Sequence, residues 1–194
     1  MKNDRDQLPR RYLVTPEPLG ERNKFLGSLE KALFGGIRLV QLRSKLLSSD
    51  DYMNLVREAV RLCHRHDARL ILNGPAANGY CAADGVHMTS AELMKCASSD
   101  LSSNLLISAA CHNEREVLHA KDLGIDFVTV SPVLPTASHP GAPALGWQRF
   151  AEVASCATMP VFALGGLTDT DLNLAISNGA HGIAAIRSLW PPSA

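Results

Sequence analysis

Short, nearly continuous apolar runs alternate along the chain with longer stretches in which apolar residues return every three or four positions. The runs cover residues 12–14, 37–42, 69–73, 85–88, 105–110, 126–130, 161–164 and 182–186. Their brevity and lack of polar alternation predict strands buried on both faces. In the first intervening stretch, Phe25, Leu26, Leu29, Ala32 and Leu33 share one helical face, and Gly35-Gly36 marks its end. Tyr52, Leu55, Val56, Ala59, Val60 and Cys63 repeat the pattern, with Ser49 as the expected cap. Short helices are expected over residues 78–83 and 91–96, and a longer one over 147–157. Asn113-x-x-Glu116 reads as a capping box opening a helix that stops at Gly124. Thr168-x-x-Asp171 opens another, ending at Gly179.

Strand followed by helix, eight times over, predicts an α/β fold with a parallel sheet, and eight such units close naturally into a single (β/α)8 TIM barrel. A doubly wound open sheet fits the same alternation, because periodicity does not reveal closure. Three helix-to-strand junctions echo one another: Gly-Gly-Ile-Arg-Leu-Val, Leu-Gly-Ile-Asp-Phe-Val and Gly-Ala-His-Gly-Ile-Ala. No linker divides the chain. The expectation is one barrel over residues 11–190, a flexible segment at 1–10 and a tail at 191–194.

Composition narrows the partners. The 194 residues are 46% apolar, enough for one substantial core. Nineteen basic and nineteen acidic residues cancel, and no basic stripe with interleaved aromatics appears, which argues against nucleic acid. The apolar runs are too short to cross a membrane, and the charged first residues lack the apolar core of a signal peptide, so a cytoplasmic location is expected. Five scattered cysteines with no C-x-x-C pair predict small buried thiols rather than disulfides or zinc. Cys111 is of interest because it adjoins His112.

In parallel α/β folds ligands bind beyond the carboxyl ends of the strands. The residues there are Gln41, Arg43 and Lys45; Asn73-Gly74; Thr89 and Glu92; His112; Ser131, Thr136, Ser138 and His139; Gly165-Gly166; and Arg187-Ser188. Two groups carry recognisable chemistry. Gly165-Gly166, with Ile186-Arg187 on the next strand, can bring backbone close to a phosphate, although a tight turn needing positive φ would ask for the same glycines. Gln41-x-Arg43-x-Lys45 would, by strand alternation, place an amide and two cations on one side of the barrel mouth; an ordinary solvated strand end would look alike. The loop from Ser131 to Gly141 has four polar side chains held among prolines. His87 lies within a strand and reads as a core histidine, and His64 and His66 lie near a helix C-terminus, where a dipole role suffices.

Taken together, these segments resemble the thiamine-phosphate synthases and their relatives the thiazole tautomerases. Val40-Gln41-Leu42-Arg43-Ser44-Lys45 is similar to V-Q-L-R-x-K, and Leu72-Asn73 to I-N. Ala83-Asp84-Gly85-Val86-His87-Met88 is similar to A-D-G-V-H-L, and Ser131-Pro132-Val133-Leu134-Pro135-Thr136 to G-P-[IV]-F-P-T. Leu164-Gly165-Gly166-Leu167 is similar to I-G-G-I, and Gly182-Ile183-Ala184-Ala185-Ile186 to G-V-A-V-V. The Ser131–Pro143 and Gly182–Arg187 wording most resembles synthase-like domains fused to Nudix hydrolases in some bacteria, which implies a Nudix hydrolase as partner or fusion relative.

The resemblance implies a transferase of thiamine biosynthesis that joins a hydroxymethylpyrimidine diphosphate to a thiazole phosphate. Gln41, Arg43, Lys45 and Asn73 would bind the diphosphate. Ser131, Thr136, Ser138 and His139 would contact substrate. Gly165, Gly166, Ile186 and Arg187 would cradle the thiazole phosphate. Magnesium is implied as cofactor, with Glu92 as ligand and Gly74 where the family has an aspartate. Ala110, His139 and Arg187 are further departures, replacing a serine, a lysine and a serine. An isomerase using His112 as acid–base, and a non-catalytic thiamine-phosphate-binding module, are the alternatives. Self-association into a homo-oligomer stays open.

Overall fold

The computed structural model describes residues 8–73, 83–97, 104–136, 141 and 143–191. Eight strands, β1 (Arg11–Val14), β2 (Leu39–Leu42), β3 (Arg69–Asn73), β4 (Gly85–Met88), β5 (Leu106–Cys111), β6 (Phe127–Val130), β7 (Val161–Leu164) and β8 (Gly182–Ala185), lie in chain order. All neighbours are parallel, and β1 pairs with β8 through Leu13 and Ala185, so the sheet is a closed barrel. The open-sheet alternative falls with that pairing. Among the described residues six α-helices follow the strands: α1 (Arg22–Phe34), α2 (Ser49–Arg65), α3 (Ser90–Leu93), α4 (Glu114–Leu123), α5 (Gly146–Ser155) and α6 (Leu172–Ser177). The helix expected at 78–83 lies almost wholly outside the described residues, as do Cys81, the first seven residues and the last three.

Alternation along the strands sorts side chains into two cores. Tyr12, Leu39, Ile71, Phe127, Phe162 and Ala184 fill the barrel interior, where the Tyr12 ring meets those of Phe127 and Phe162 at 5.4 and 5.5 Å. The opposite strand face packs against the helices: Leu13, Val40 and Leu70 meet α1 and α2, while Val128, Val161 and Ile183 meet residues of α4, α5 and α6. The Trp190 ring meets that of Phe25 on α1, with centroids 4.9 Å apart and planes tilted by 36°.

Local capping chemistry sets the helix starts. The α2 cap is Ser48, not the expected Ser49, because Ser48 is extended and its hydroxyl accepts from the Asp51 N–H at 3.2 Å. Asn113 caps α4 by accepting from the Glu116 N–H at 3.1 Å, but the Glu116 carboxylate takes the His112 N–H rather than that of Asn113, so only half of the expected box forms; Gly124 ends the helix in a left-handed turn at φ 72°. The Thr168/Asp171 box opens a 3-10 turn (Asp169–Asp171) that continues into α6. Burial holds the thiols of Cys63 and Cys111 at about 12, with Asp84 and Glu116 respectively adding to the effect, so both are inert packing groups. Among the described residues no helix is long and apolar enough to cross a membrane.

Candidate functional site

A cavity of about 910 Å³ opens beyond the carboxyl ends of β5–β8. His112, Ser131, Thr136, Gly165, Gly166, Ile186 and Arg187, widely spaced in the sequence, all line it. Pro132, Leu145, Leu164, Leu167 and Ala184 supply an apolar wall and floor that sequence reasoning did not single out. Ser138 and His139 lie outside the described residues.

Backbone bonds fix the shape of this cavity. After β6, Val133 N–H donates to Leu164 O at 2.9 Å and Leu134 N–H to Gly165 O at 3.0 Å, fastening the Ser131–Thr136 loop to the end of β7. Leu145 and Gly146 N–H return to Pro132 O and Val133 O at 2.9 Å each. The two glycines permit this contact. A Cβ on Gly165 (φ 108°) would meet Pro132 Cα at 2.8 Å, and one on Gly166 (φ 69°) would meet Pro135 O at 2.5 Å. The Gly-Gly pair is thus required both for its left-handed backbone and for the approach of two loops. The Thr168 N–H is already held by Asp171 Oδ2 at 2.7 Å, so it is not free for a ligand. Arg187 is exposed on the cavity rim and has no hydrogen-bond partner among the described residues.

His112 is oriented by main chain. Its Nδ1 lies 2.7 Å from Ser131 O, a carbonyl that can only accept, so Nδ1 carries the proton and Nε2 is the basic nitrogen of the neutral ring. Its N–H is held in turn by Glu116 Oε2 at 2.6 Å.

The β2–β4 sector is organised differently. Gln41 is buried: it is 3% exposed, its Nε2 donates to Tyr12 OH at 2.8 Å, and its Oε1 accepts from Asn73 Nδ2 at 3.3 Å. Strand β2 ends at Leu42, so alternation carries the interior face from Gln41 to Arg43 but says nothing about Lys45. Arg43 is half-buried and Lys45 exposed. Below them His87, fully buried beside Ser108 Oγ at 2.9 Å, is pushed down to about 3 by burial, and is a neutral core residue.

Two residues after β1, a strand end the sequence reading passed over, organise that loop. Thr15 Oγ1 accepts from the Arg43 N–H at 3.1 Å. Glu17 accepts from the Ser44 hydroxyl at 2.5 Å and from the Lys45 and Leu46 N–H groups at 2.9 and 3.1 Å. Burial pushes the Glu17 carboxyl up, but the Ser44 hydroxyl, the two amides and the Arg43 charge outweigh it and hold it below its usual range. The rule that ligands sit beyond strand ends, applied to β1 as well, points to both residues.

Glu92 has another occupation than the one the resemblance implies. Its Oε2 accepts from the Thr89 N–H at 2.7 Å and the Thr89 hydroxyl at 2.8 Å, closing the capping box of α3. Among the described residues no three His, Cys, Asp or Glu side chains gather as a metal set. Residue 74 lies outside them. Magnesium takes one or two carboxylates beside substrate oxygens, and the capping box engages Oε2 of Glu92 and not Oε1.

Residues 11–189 match the thiamine monophosphate synthase family model. The chain belongs to that family. It is 34% identical over 181 residues to the putative thiamine-phosphate synthase 2 of Aquifex aeolicus, covering 93% of this chain and 97% of that protein. It is 34% identical over 196 residues to the thiamine-phosphate synthase of Nostoc punctiforme, a longer protein of which it spans 54%. Its fold superposes on the thiamine phosphate pyrophosphorylase of Pyrococcus furiosus with a TM-score of 0.77 at 22% identity, covering 95% of this chain and 87% of the other.

Proposed function

We propose that the chain is a thiamine-phosphate synthase, joining a hydroxymethylpyrimidine diphosphate to a thiazole phosphate. The observation that carries this reading is the β5–β8 cavity, which gathers a left-handed Gly-Gly turn and an exposed arginine beside an apolar wall. That combination suits a small heterocycle ending in a phosphate. The second substrate would lie toward Arg43 and Lys45, with Asn73 between the two halves.

The reaction asks for little proton chemistry. The thiazole ring nitrogen donates its pair to the methylene carbon of the pyrimidine, forming the C–N bond. The C–O bond to the diphosphate breaks and its electron pair leaves with pyrophosphate. The need is to neutralise charge developing on the leaving group, and Arg43 and Lys45 are the groups placed to do so. Magnesium enters the proposal as a substrate-borne ion rather than one held by the described carboxylates. Cytoplasmic residence, self-association and a Nudix hydrolase acting alongside belong to the same proposal.

The test supplies both substrates and measures thiamine phosphate and pyrophosphate together. Equal amounts of the two products are expected. Retention of thiazole phosphate with no coupling would overturn the synthase in favour of a binding module. Proton exchange on the thiazole alone, lost in His112→Ala, would replace it with an isomerase.

A further inference from the structure

Arg43 and Lys45 stand on a segment without regular structure, between the end of β2 at Leu42 and the start of α2 at Ser49. Cations on a free loop would bind an anion only after ordering themselves, which weakens binding and slows the chemistry. Here the loop is tied down by the neighbouring strand end. Thr15 N–H continues the β1–β2 ladder to Gln41 O at 2.9 Å, and Thr15 Oγ1 then takes the Arg43 N–H. Two residues on, the Glu17 carboxylate takes the next available donors, the Ser44 hydroxyl and the Lys45 and Leu46 amides. Ser44 Oγ completes the turn by accepting from Leu47 N–H at 3.1 Å. The backbone of both cationic residues is therefore set by side chains of the β1–α1 loop.

We propose that Glu17 is a positioning residue for the diphosphate half of the site. It rests on the synthase reading for the identity of the ligand, and it acts through Arg43 and Lys45 rather than by touching substrate. The sign of its effect is diagnostic. Glu17 is an anion close enough to Arg43 to feel its charge, so by Coulomb's law alone its removal would strengthen anion binding. Positioning predicts the reverse. A carboxylate that holds the loop must, when removed, weaken binding even though the local field becomes more positive.

The experiment compares wild type with Glu17→Ala and Glu17→Gln, taking KM for each substrate, kcat and the thermal midpoint. In Glu17→Ala the KM for the pyrimidine diphosphate should rise about tenfold or more, as expected when charge-assisted hydrogen bonds are lost. The KM for thiazole phosphate should stay within twofold, because its cavity is lined from β5–β8. Glu17→Gln keeps one acceptor oxygen and should recover part of the loss. A lowered or unchanged diphosphate KM in Glu17→Ala would overturn the proposal, and so would an equal rise for both substrates. Binding of inorganic pyrophosphate to the same three proteins, measured by calorimetry, decides the matter independently of turnover. If wild type makes no product, the synthase reading fails, while tenfold weaker pyrophosphate binding in Glu17→Ala would still uphold the positioning role. Equal pyrophosphate affinity across the three would sink it.

Discussion

The two halves of the barrel mouth hold their shape by different means. Beyond β5–β8, main chain binds main chain: the loop after β6 is fastened to the end of β7 by paired amides, and two glycines let the strands' extensions touch. Beyond β1 and β2, side chains bind main chain: Thr15 and Glu17 carry the loop that presents Arg43 and Lys45. A site built from backbone tolerates many side-chain changes but few at its glycines. A site built from a carboxylate depends on that one residue and on its ionisation. The shape of the β5–β8 cavity therefore rests on backbone bonds rather than on the side chain at Arg187.

The largest effect should come from the backbone-built half. Gly165→Ala forces a side chain onto a left-handed residue and against Pro132. Loss of about 2–4 kcal/mol is expected, with a fall in thermal midpoint and in binding of thiazole phosphate. Unchanged stability in Gly165→Ala would show that the loops are looser than this packing implies.

Next in size is an acid effect on the whole barrel. His87 is neutral in the fold with its folded value depressed to about 3, whereas the unfolded chain binds that proton near 6.5. The unfolded state therefore takes up more protons between those values, and stability falls as pH drops from 6.5 toward 3. His87→Gln should flatten that part of the stability profile, measured by urea denaturation at several pH values. An equally steep profile in the variant would remove His87 from the account.

Smaller effects separate capping from catalysis. Glu92→Ala removes the capping box of α3, costing about 0.5–2 kcal/mol of local stability, and should leave the magnesium dependence of turnover unchanged. A magnesium requirement that climbs steeply in Glu92→Ala would place the ion on that carboxylate after all. Smallest of all is a gain. Thr129 Oγ1, buried on β6, has no hydrogen-bond partner among the described residues, and Ala110 stands across from it in register on β5. Ala110→Ser should supply a partner and raise stability by about 1 kcal/mol; a lower thermal midpoint would mean the hydroxyl does not reach.

Much of this was readable from sequence because strand period, glycine pairs and capping boxes are local signals. Asn113 and Gly124 bound α4 where their types require, and the residues from His112 to Arg187 meet because parallel strands must end on one face. What escaped depends on contacts between distant segments. Nothing in V-Q-L-R-S-K says that Gln41 turns inward to Tyr12, since that depends on a tyrosine 29 residues earlier. Thr89-x-x-Glu92 also spells a capping box, a local pattern that the resemblance to a metal-ligand position overshadows. Glu17 lacked any motif of its own; only the folded neighbour of β2 shows what it holds.

The central claim, that each half of the mouth holds one substrate, is tested most directly by measuring KM for both substrates in Arg43→Ala and Arg187→Ala. A crossed pattern is expected: Arg43→Ala should weaken the pyrimidine diphosphate by roughly 10–100-fold, the range of a lost charged hydrogen bond, and Arg187→Ala should weaken the thiazole phosphate, less strongly because that arginine is exposed. If both variants weaken the same substrate, the division into two halves is wrong.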